Sequence, residues 1–343
     1  MSKRKALITG ICGQDGAYLA KFLLDKGYNV DGGEKIKNNQ NLWRLKKLNI
    51  IKKIKILKFE LLDEKTINRV VKNGKYDEIY NLAAQSFVDK SYSKPIYTSD
   101  VNGIGVTRIL EAVRKFSKKT KLYQASSSEM FGNVSPKIKN ENTNFQPVSP
   151  YAVSKLYAHS MINVYRDVHN LFCCSGIMFN HESPLRDDQF VTQKIIKNLI
   201  KIKYKKMKLL KLGNIYVERD WGYAINYVEA MWKILQHKKP DDYIISTGKT
   251  YSVKTFVEKV AKYINIDLVW SGRGINEKGF DRKSNKLIIK IDKQLFRPSE
   301  INYILGNPSK AKKILKWSPK TDLDDLIKIM CDTELKNYDE ELK

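Results

Sequence analysis

The 343-residue sequence has little cysteine and histidine and no long hydrophobic run. No C-x-x-C pair occurs among the four cysteines, which argues against a disulfide framework and against a zinc site. No window reaches the roughly 18 uncharged apolar residues that a membrane helix needs, and no apolar leader segment with a cleavage site opens the chain. We therefore expect a cytoplasmic protein that binds neither a metal ion nor a membrane. The cysteines are Cys12, Cys173, Cys174 and Cys331.

Arginine is also scarce, although the chain is strongly basic. The formal net charge is +26, with 63 lysines and arginines against 37 acidic residues, but only 11 of the 63 are arginines. Bidentate recognition of phosphates and bases favours arginine, and the lysines are spread along the whole chain. We expect no nucleic-acid partner, and a basic nucleic-acid-binding protein is the alternative from another class. The positive potential would help an anionic small substrate to arrive.

Strand-like apolar runs alternate with helical patterns through the first half of the chain. The opening segments are a strand, a glycine turn, a helix and a second strand, at 5–9, 10–16, 17–24 and 27–30. Further strand-like runs lie at 54–59, 78–82, 121–125 and 172–179. This alternation predicts an α/β fold, a Rossmann-type doubly wound parallel sheet with a smaller mixed α/β carboxy-terminal substrate domain. We predict one domain at 1–179, with a later return near 222–247, and a second at 180–343.

Three glycines form a turn between the first strand and the first helix. Gly10, Gly13 and Gly16 give the pattern G-x-x-G-x-x-G, in which backbone N–H groups approach a pyrophosphate at the positive helix end. This spacing is typical of short-chain dehydrogenases and predicts a nicotinamide dinucleotide. After the second strand, Glu34 could accept hydrogen bonds from a ribose 2′-hydroxyl, whereas Lys35 could pair with a 2′-phosphate. These two residues leave NAD and NADP open.

A tyrosine, a lysine, a serine and a glutamate form the candidate catalytic group. Tyr151 and Lys155 lie one turn apart on a predicted helix, so both face the same side. A tyrosine is protonated at neutral pH, but a neighbouring ammonium and an oxidised nicotinamide favour the phenolate. Ser127 lies 24 residues before Tyr151, directly after a predicted strand, where a hydroxyl can hold a sugar oxygen. Glu129 could act as a second acid or base for a different proton.

Motifs along essentially the whole chain resemble those of the GDP-mannose 4,6-dehydratase family, a group of extended short-chain dehydrogenases. Segments shared more widely in that class lie at 9–20, 80–86, 123–132 and 149–158. The more specific ones are Asn-His-Glu-Ser-Pro at 180–184, Phe-Val-Thr-Gln-Lys at 190–194 and Arg-Pro-Ser-Glu at 297–300. The segments at 212–214 and 219–222 lie between them in the same order.

The resemblance implies conversion of GDP-mannose to GDP-4-keto-6-deoxymannose, by internal hydride transfer from C4 to C6 and loss of water. Tyr151, supported by Lys155, would take the proton of the C4 hydroxyl while hydride passes to the nicotinamide. The resulting ketone acidifies C5–H, and Glu129, assisted by Ser127, would move that proton and protonate the leaving C6 hydroxyl. His181 has no necessary proton in this scheme, so we expect a structural role for it.

The resemblance also assigns binding residues, position by position. Cofactor contacts are expected from Gly10, Gly13, Gln14, Asp15, Gly16, Lys35, Glu60, Leu61, Leu82, Ala83, Gln85, Tyr151 and Lys155. Substrate contacts are expected from Ser86, Asn180, Glu182, Lys194, Leu212, Gly213, Arg219, Arg297 and Glu300. The domain at 1–179 would then bind the dinucleotide and the part at 180–343 mainly the nucleotide sugar, in a homodimer or homotetramer.

Two departures from the family pattern bear on rate and on cofactor. Ser127 stands where the family usually has threonine, which keeps the hydroxyl but loses the methyl that restricts its rotamers. Lys35 and Ile36 replace a pair of arginines, and the loop after them is shortened, which weakens a 2′-phosphate site and any contact of that loop with a neighbouring subunit. On the resemblance we expect NADP, with NAD as the alternative.

Other activities of the same fold are the alternatives to this function. A 4,6-dehydratase for another GDP-sugar, such as a GDP-heptose, would use the same residues. A nucleotide-sugar epimerase or 4-reductase could work with Tyr151 and Lys155 and would not require Glu129.

Overall fold

The computed structural model describes residues 3–35 and 42–341, and within them a seven-stranded sheet forms the centre. Its strands are β1 (Lys5–Thr9), β2 (Asn29–Glu34), β3 (Lys55–Lys58), β4 (Glu78–Asn81), β5 (Lys121–Ser127), β7 (Cys173–Met178) and β12 (Tyr243–Ile245). All neighbours pair in parallel, in the order β12-β7-β5-β4-β1-β2-β3. The predicted doubly wound sheet is confirmed. The strand order reverses between β1 and β4, so their carboxyl ends open the crevice where such sheets bind ligands.

Helices cover both faces of this sheet. The helices of the described residues are α1 (Gln14–Asp25), α2 (Trp43–Lys47), α3 (Glu64–Gly74), α4 (Val88–Ser93), α5 (Pro95–Ser99), α6 (Gly105–Phe116), α7 (Pro150–His169), α8 (Val191–Lys203), α9 (Ala224–Gln236), α10 (Val253–Tyr263), α11 (Ser309–Leu315) and α12 (Leu323–Glu341), of which α8, α10 and α12 pack in a separate core. Alternate residues of one strand serve opposite cores. Ile8 packs in the core that includes α1 and α9, whereas Leu7 packs in the core that includes α3, α6 and α7.

A further hydrophobic core, separate from the two beside the large sheet, belongs to the carboxy-terminal half of the chain. It is built from α8, α10 and α12 and from a four-stranded sheet in the order β14-β15-β16-β9, whose strands are β9 (Leu210–Leu212), β14 (Leu268–Ser271), β15 (Lys278–Asp281) and β16 (Lys286–Ile291). Short strand pairs are β6 (Ile138–Lys139) with β17 (Leu305–Gly306), β8 (Asn180–Glu182) with β11 (Trp221–Tyr223), and β10 (Glu218–Arg219) with β13 (Tyr251–Ser252). Although β12 follows residue 180, it joins the large sheet. The predicted domain boundary stays a prediction.

Two helix starts position the site. Gly13 precedes α1 without capping it through a side chain, which leaves the first N–H groups of that helix available to a ligand. The start of α7 is fixed instead, because Ser149 Oγ accepts a hydrogen bond of 3.1 Å from the N–H of Ala152 and Pro150 occupies the first turn. The side chain of Tyr151 therefore projects from the first turn of α7 at a defined position near the end of β5.

The described part of the chain offers no helix that is both long enough and apolar enough to cross a membrane. The cytoplasmic location stays a prediction. All four cysteines are buried free thiols.

Candidate active site

The glycine turn between β1 and α1 forms a cradle of bare backbone. Gly10 has a φ of +67°, and a Cβ on it would come within 2.9 Å of Ala83 Cα. A Cβ on Gly16 would lie 2.4 Å from the carbonyl oxygen of Gly10, which itself accepts a 3.0 Å hydrogen bond from the N–H of Gly13. A side chain at Gly10 or Gly16 would clash with these backbone atoms, so the close approach of the chain segments requires glycine at both positions. The turn therefore fits the pyrophosphate of a dinucleotide at the start of α1.

Thr9, which the sequence analysis missed, holds the loop after β4 against this turn. Its Oγ1 accepts hydrogen bonds from the N–H groups of Leu82 and Ala83, at 3.2 and 3.1 Å. The same hydroxyl donates to Asn81 Oδ1 at 2.6 Å. Two residues predicted to contact the cofactor are thereby placed beside Gly10. The signal in the sequence was a hydroxyl residue directly before the glycine turn.

The first turn of α1 contacts the segment that follows β7. Gln14 Nε2 donates to the carbonyl oxygen of His181 at 3.1 Å, and Ser183 Oγ donates to Gln14 Oε1 at 2.7 Å. His181 Nε2 lies 2.8 Å from Asp15 Oδ2. Burial disfavours the charge of both groups, yet their mutual attraction raises the pKa of His181 and lowers the pKa of Asp15. The pair ties the cofactor cradle to β8.

The four predicted catalytic residues lie around the carboxyl end of β5. Ser127 ends that strand, and its Oγ accepts a 3.2 Å hydrogen bond from the N–H of Glu129. Lys155 Nζ donates to the carbonyl oxygen of Ala125 at 2.9 Å and lies 5.8 Å from the centroid of the Tyr151 ring. Tyr151 and Lys155 thus emerge from the first turns of α7 beside the Ser127–Glu129 turn.

Burial, not Lys155, controls the charge of the catalytic tyrosine in the protein by itself. Burial raises the pKa of Tyr151 to about 12, and the carboxylate of Glu129 adds to this rise while a contact with Ser127 opposes it. Burial lowers the pKa of Lys155 to about 8. The sequence analysis expected a neighbouring ammonium to favour the phenolate, but in the protein alone the phenol is the stable form at neutral pH.

Two arginines and a glutamate face Glu129 across the site. Arg219 Nη2 lies 3.1 Å from Glu300 Oε1, and the whole residue is only 6% exposed. Arg297 Nε donates to Asp89 Oδ1 at 2.8 Å, and its Nη1 lies 3.7 Å from Glu300 Oε1. Burial disfavours the charge of each arginine, whereas the carboxylate of Glu129 favours it. The effect of burial prevails for Arg219, whose pKa is lowered, and the effect of the neighbouring carboxylates prevails for Arg297, whose pKa is raised. The cluster suits an anionic substrate group.

Lys194 and the loop after β9 extend this positive region. Burial lowers the pKa of Lys194, and Asp292 opposes the effect only by its charge, since no carboxylate of the described residues lies within ion-pair distance. Gly213, after Leu212 at the end of β9, approaches the chain near Arg297, because a Cβ on it would lie 2.5 Å from Leu295 O.

Asn180, a predicted substrate residue, begins β8 and pairs in register with Trp221.

Several predicted binding residues use their side chains inside the protein. Glu182 is 2% exposed, and its Oε2 accepts from Thr192 Oγ1 at 2.6 Å and lies 3.1 Å from Arg186 Nε. Leu61 packs in the core beneath α3 and α6. Gln85 Nε2 donates to the carbonyl oxygen of Phe87 at 2.9 Å within its own loop. These three could reach a ligand only through backbone groups or by exchanging contacts.

The predicted adenosine end of the site is partly described. Lys35 Nζ lies 3.6 Å from Glu60 Oε2 and 3.1 Å from the hydroxyl oxygen of Tyr97. Ser86 is exposed in the loop between β4 and α4. Ile36 and the loop after it, which the sequence analysis expected to be shortened, lie outside the described residues.

Arg186 is a second residue that the sequence analysis left without a role. Its guanidinium carbon lies 3.5 Å from the centroid of the Phe190 ring, which stacks on Phe87 at 4.9 Å. The positive charge favours the phenolate of Tyr151 and the carboxylate of Asp15. Arg186 therefore acts electrostatically on both the catalytic and the cofactor side. Its position between the motifs at 180–184 and 190–194 was the available signal in the sequence.

The sheet order, the glycine cradle and the grouping of serine, tyrosine and lysine at the strand ends define an extended short-chain dehydrogenase, an enzyme class that uses a nicotinamide dinucleotide. The family model for GDP-mannose 4,6 dehydratase matches residues 7–330. The chain belongs to the GDP-mannose 4,6-dehydratase family.

Curated relatives are similar over nearly their whole length. A GDP-mannose 4,6 dehydratase of Dictyostelium discoideum is 45% identical over 340 residues, covering 96% of this chain and 95% of the relative. The GDP-mannose 4,6-dehydratase of Vibrio cholerae is 42% identical, with 97% and 94% covered. The human GDP-mannose 4,6 dehydratase is also 42% identical, with 96% and 91% covered.

Solved structures share the fold at low sequence identity. A dTDP-glucose 4,6-dehydratase from Bacillus anthracis in complex with NAD superposes with a TM-score of 0.81 at 21% identity, covering 99% of this chain and all of that one. RMD from Pseudomonas aeruginosa complexed with NADPH gives a TM-score of 0.75 at 18% identity, covering 97% of this chain and all of that one. These likenesses support the fold alone.

Proposed function

We propose that the protein is a hydro-lyase that converts GDP-mannose to GDP-4-keto-6-deoxymannose. The observation that carries this proposal is that Glu129 acts electrostatically on Tyr151 and on Arg219 and Arg297, so two proton-transfer groups and two anion-binding groups border one site. Epimerization or 4-reduction would need only the tyrosine and lysine. A carboxylate in this position can act as the second acid–base group, which the loss of water requires.

Tyr151 would accept the proton of the C4 hydroxyl, and Ser127 would hold that hydroxyl in place. A bound nicotinamide would supply reversible two-electron redox chemistry next to the sugar, and NAD and NADP supply it equally. Because Tyr151 is a phenol in the protein alone, its proton acceptance needs added positive charge in the site. Arg186 supplies part of that charge from the protein, because its guanidinium favours the phenolate, and the ammonium of Lys155 lies 5.8 Å from the centroid of the ring.

Glu129 would remove the C5 proton once C4 is a ketone and would protonate the departing C6 hydroxyl. The carboxylate is half-buried at the end of β5 and is held there by the short helical turn that Ser127 caps. Arg219, Arg297 and Lys194 would neutralise the diphosphate and fix the nucleoside, so that the hexose lies between Tyr151 and Glu129.

The substrate experiment uses the purified full chain, loaded with dinucleotide, and GDP-mannose deuterated at C4. We expect a product lighter by one water that carries the deuterium at C6, seen by mass spectrometry and NMR. Tyr151→Phe should give no product. Turnover of a GDP-heptose without turnover of GDP-mannose would contradict the proposed substrate, and a C4 epimer without water loss would contradict the reaction.

The exposed side of α7 supports a homodimer. Val153, Tyr157, Val164 and Val168 form an apolar stripe along that helix, with exposed fractions of 52%, 40%, 47% and 66%. Ile104, just before α6, adds a further exposed apolar side chain. A second copy of the chain would bury this stripe by a two-fold contact. Light scattering of the purified protein should give twice the mass of one chain or a multiple of it.

A further inference from the structure

The end of β2 carries both a carboxylate and an ammonium group where a dinucleotide places its adenosine ribose. In sheets of this topology, an acid at this position binds the ribose 2′-hydroxyl, and a cation nearby accommodates a 2′-phosphate. Glu34 ends β2 and Lys35 follows it. Their side-chain contacts therefore bear on which dinucleotide binds.

Glu34 faces the glycine turn. Gly33, the residue before it, accepts a 2.9 Å hydrogen bond from the N–H of Gly10, so β2 ends directly beside the pyrophosphate cradle. Cys12 lies inside the turn, and burial of its thiol together with the negative charge of Glu34 raises the pKa of Cys12 to about 12. Glu34 Oε1 also accepts a 3.1 Å hydrogen bond from the N–H of Lys35, which holds the carboxylate at the strand end.

Lys35 is directed away from Glu34, toward β3 and α5. Its Nζ donates to the hydroxyl of Tyr97 at 3.1 Å and lies 3.6 Å from Glu60 Oε2. The hydrogen bond with Tyr97 and the charge of Glu60 raise the pKa of Lys35. Glu60 thus already neutralises the ammonium group.

Arg44 is a further cation beside the glycine turn in the described part of the chain. Its Nε donates to Leu185 O at 2.7 Å and its Nη1 donates to Cys12 O at 3.1 Å. These bonds fasten the turn to the segment after β8. The guanidinium therefore serves the backbone at this place.

We propose that Glu34 makes this protein select NAD over NADP. Among the residues that the structure describes at this end of the site, the carboxylates of Glu34 and Glu60 and the ammonium of Lys35 together carry one negative charge, and a 2′-phosphate would bring about two more into the same space. The free 2′-hydroxyl of NAD would instead donate a hydrogen bond to Glu34. This choice differs from the NADP that the family resemblance implied, and it rests on the proposed function only in requiring a dinucleotide site.

Binding is measured directly, without turnover. Isothermal titration calorimetry of the full chain freed of dinucleotide should show NAD⁺ binding at least about tenfold more tightly than NADP⁺, the size of one unfavourable close charge contact in partly exposed surroundings. The ratio should shrink as salt is added, because the repulsion is screened. Mass spectrometry of dinucleotide released from denatured, freshly purified protein should find NAD or NADH. Tighter binding of NADP⁺ would overturn the proposal.

Three variants assign the preference to Glu34. Glu34→Gln keeps the side-chain size and removes the charge, so the affinity ratio should fall to within about threefold. Lys35→Met should change the NADP⁺ affinity by less than about threefold, whereas a loss of tenfold or more would mean that Lys35 binds the 2′-phosphate and would overturn the proposal. Glu64→Gln, on the exposed side of α3, is the matched control and should leave both affinities unchanged.

The outcomes for cofactor and for reaction are separable. A protein that prefers NADP⁺ and dehydrates GDP-mannose would overturn only the assignment of Glu34. A folded protein that binds neither dinucleotide would overturn the proposed function itself.

Discussion

Asp15 and His181 join the cofactor cradle to the sugar side of the site through an ion pair of 2.8 Å. Asp15 lies in the first turn of α1 and His181 in the middle of β8, and the imidazole also stacks on Tyr227 with ring centroids 4.7 Å apart. His181 Nδ1 lies 2.7 Å from the carbonyl oxygen of Phe179, which fixes the ring between two acceptors. The pair orients the first turn of α1, so its charge state bears on both stability and cofactor binding.

The first prediction concerns the pH dependence of this pair. The pKa of His181 is raised on folding, so its stabilisation is complete below the ordinary histidine value and is lost as pH rises through the raised value. The pKa of Asp15 is lowered, so its stabilisation is complete above the ordinary aspartate value and is lost as pH falls through the lowered one. The pair should be fully effective between roughly pH 4 and 6.5.

Thermal unfolding of the dinucleotide-free protein from pH 6 to 9 checks this. The unfolding temperature of His181→Gln should fall less over this range than that of the unmodified protein, because glutamine does not lose a proton. His169→Gln, at the exposed end of α7, should behave like the unmodified protein. Equal slopes for all three proteins would contradict a charged pair.

The second prediction is that Lys155→Met stabilises the protein at neutral pH while abolishing activity. Burial lowers the pKa of Lys155 from 10.5 to about 8, so keeping it charged at pH 7 costs about 3 kcal/mol. Methionine avoids this cost but loses the hydrogen bond to the carbonyl oxygen of Ala125, which destabilises the variant by about 1 kcal/mol. Urea unfolding at pH 7 should therefore show a net gain of about 2 kcal/mol.

The stability advantage of Lys155→Met decreases as pH rises. Between pH 8 and 10.5 the unfolded chain binds a proton that the folded chain does not, so the unmodified protein gains stability from this group as pH rises. The advantage of Lys155→Met should accordingly disappear near pH 10. A variant that is destabilised at both pH values would show that the charged lysine contributes favourably to the fold.

The third prediction separates the two proton transfers. Glu129→Gln should reduce formation of the dehydrated product by about 10²- to 10⁴-fold, because glutamine cannot exchange the C5 and C6 protons. Dinucleotide binding should be unchanged. The pKa of Tyr151 should fall, since Glu129 contributes to raising it. An ultraviolet titration of the variant against Tyr151→Phe measures that shift, and full residual activity would contradict the assigned role.

Local sequence patterns were sufficient to predict the fold, whereas much of the site depends on contacts between residues that are far apart in the sequence. The glycine spacing and the alternating apolar runs predicted β1, α1 and the parallel sheet, because these depend on neighbours in sequence. By contrast, Asp15 and His181 are 166 residues apart, so their pairing follows only from the packing of β8 beside α1.

The adenosine end of the site shows the same limit. Glu34 and Lys35 point to opposite cofactors when taken as neighbours in a sequence. The structure places Glu60, two residues after β3, and Tyr97 on α5 beside Lys35, so the ammonium group already has partners within the protein. Glu182, a predicted substrate residue from the 180–184 motif, likewise has its carboxylate bonded to Thr192 and close to Arg186.

The last prediction concerns the hydroxyl at position 127. Ser127 Oγ accepts the N–H of Glu129 and favours the phenolate of Tyr151, so one oxygen supports both proton-transfer groups. Ser127→Ala should lower kcat by about 10- to 100-fold, since the loss of one oriented hydrogen bond in a partly buried site has this size. Ser127→Thr keeps the oxygen and restricts its rotamers, so kcat should equal or exceed that of the unmodified protein. If alanine and threonine lowered kcat equally, space at position 127 and not the hydroxyl would be the property that matters.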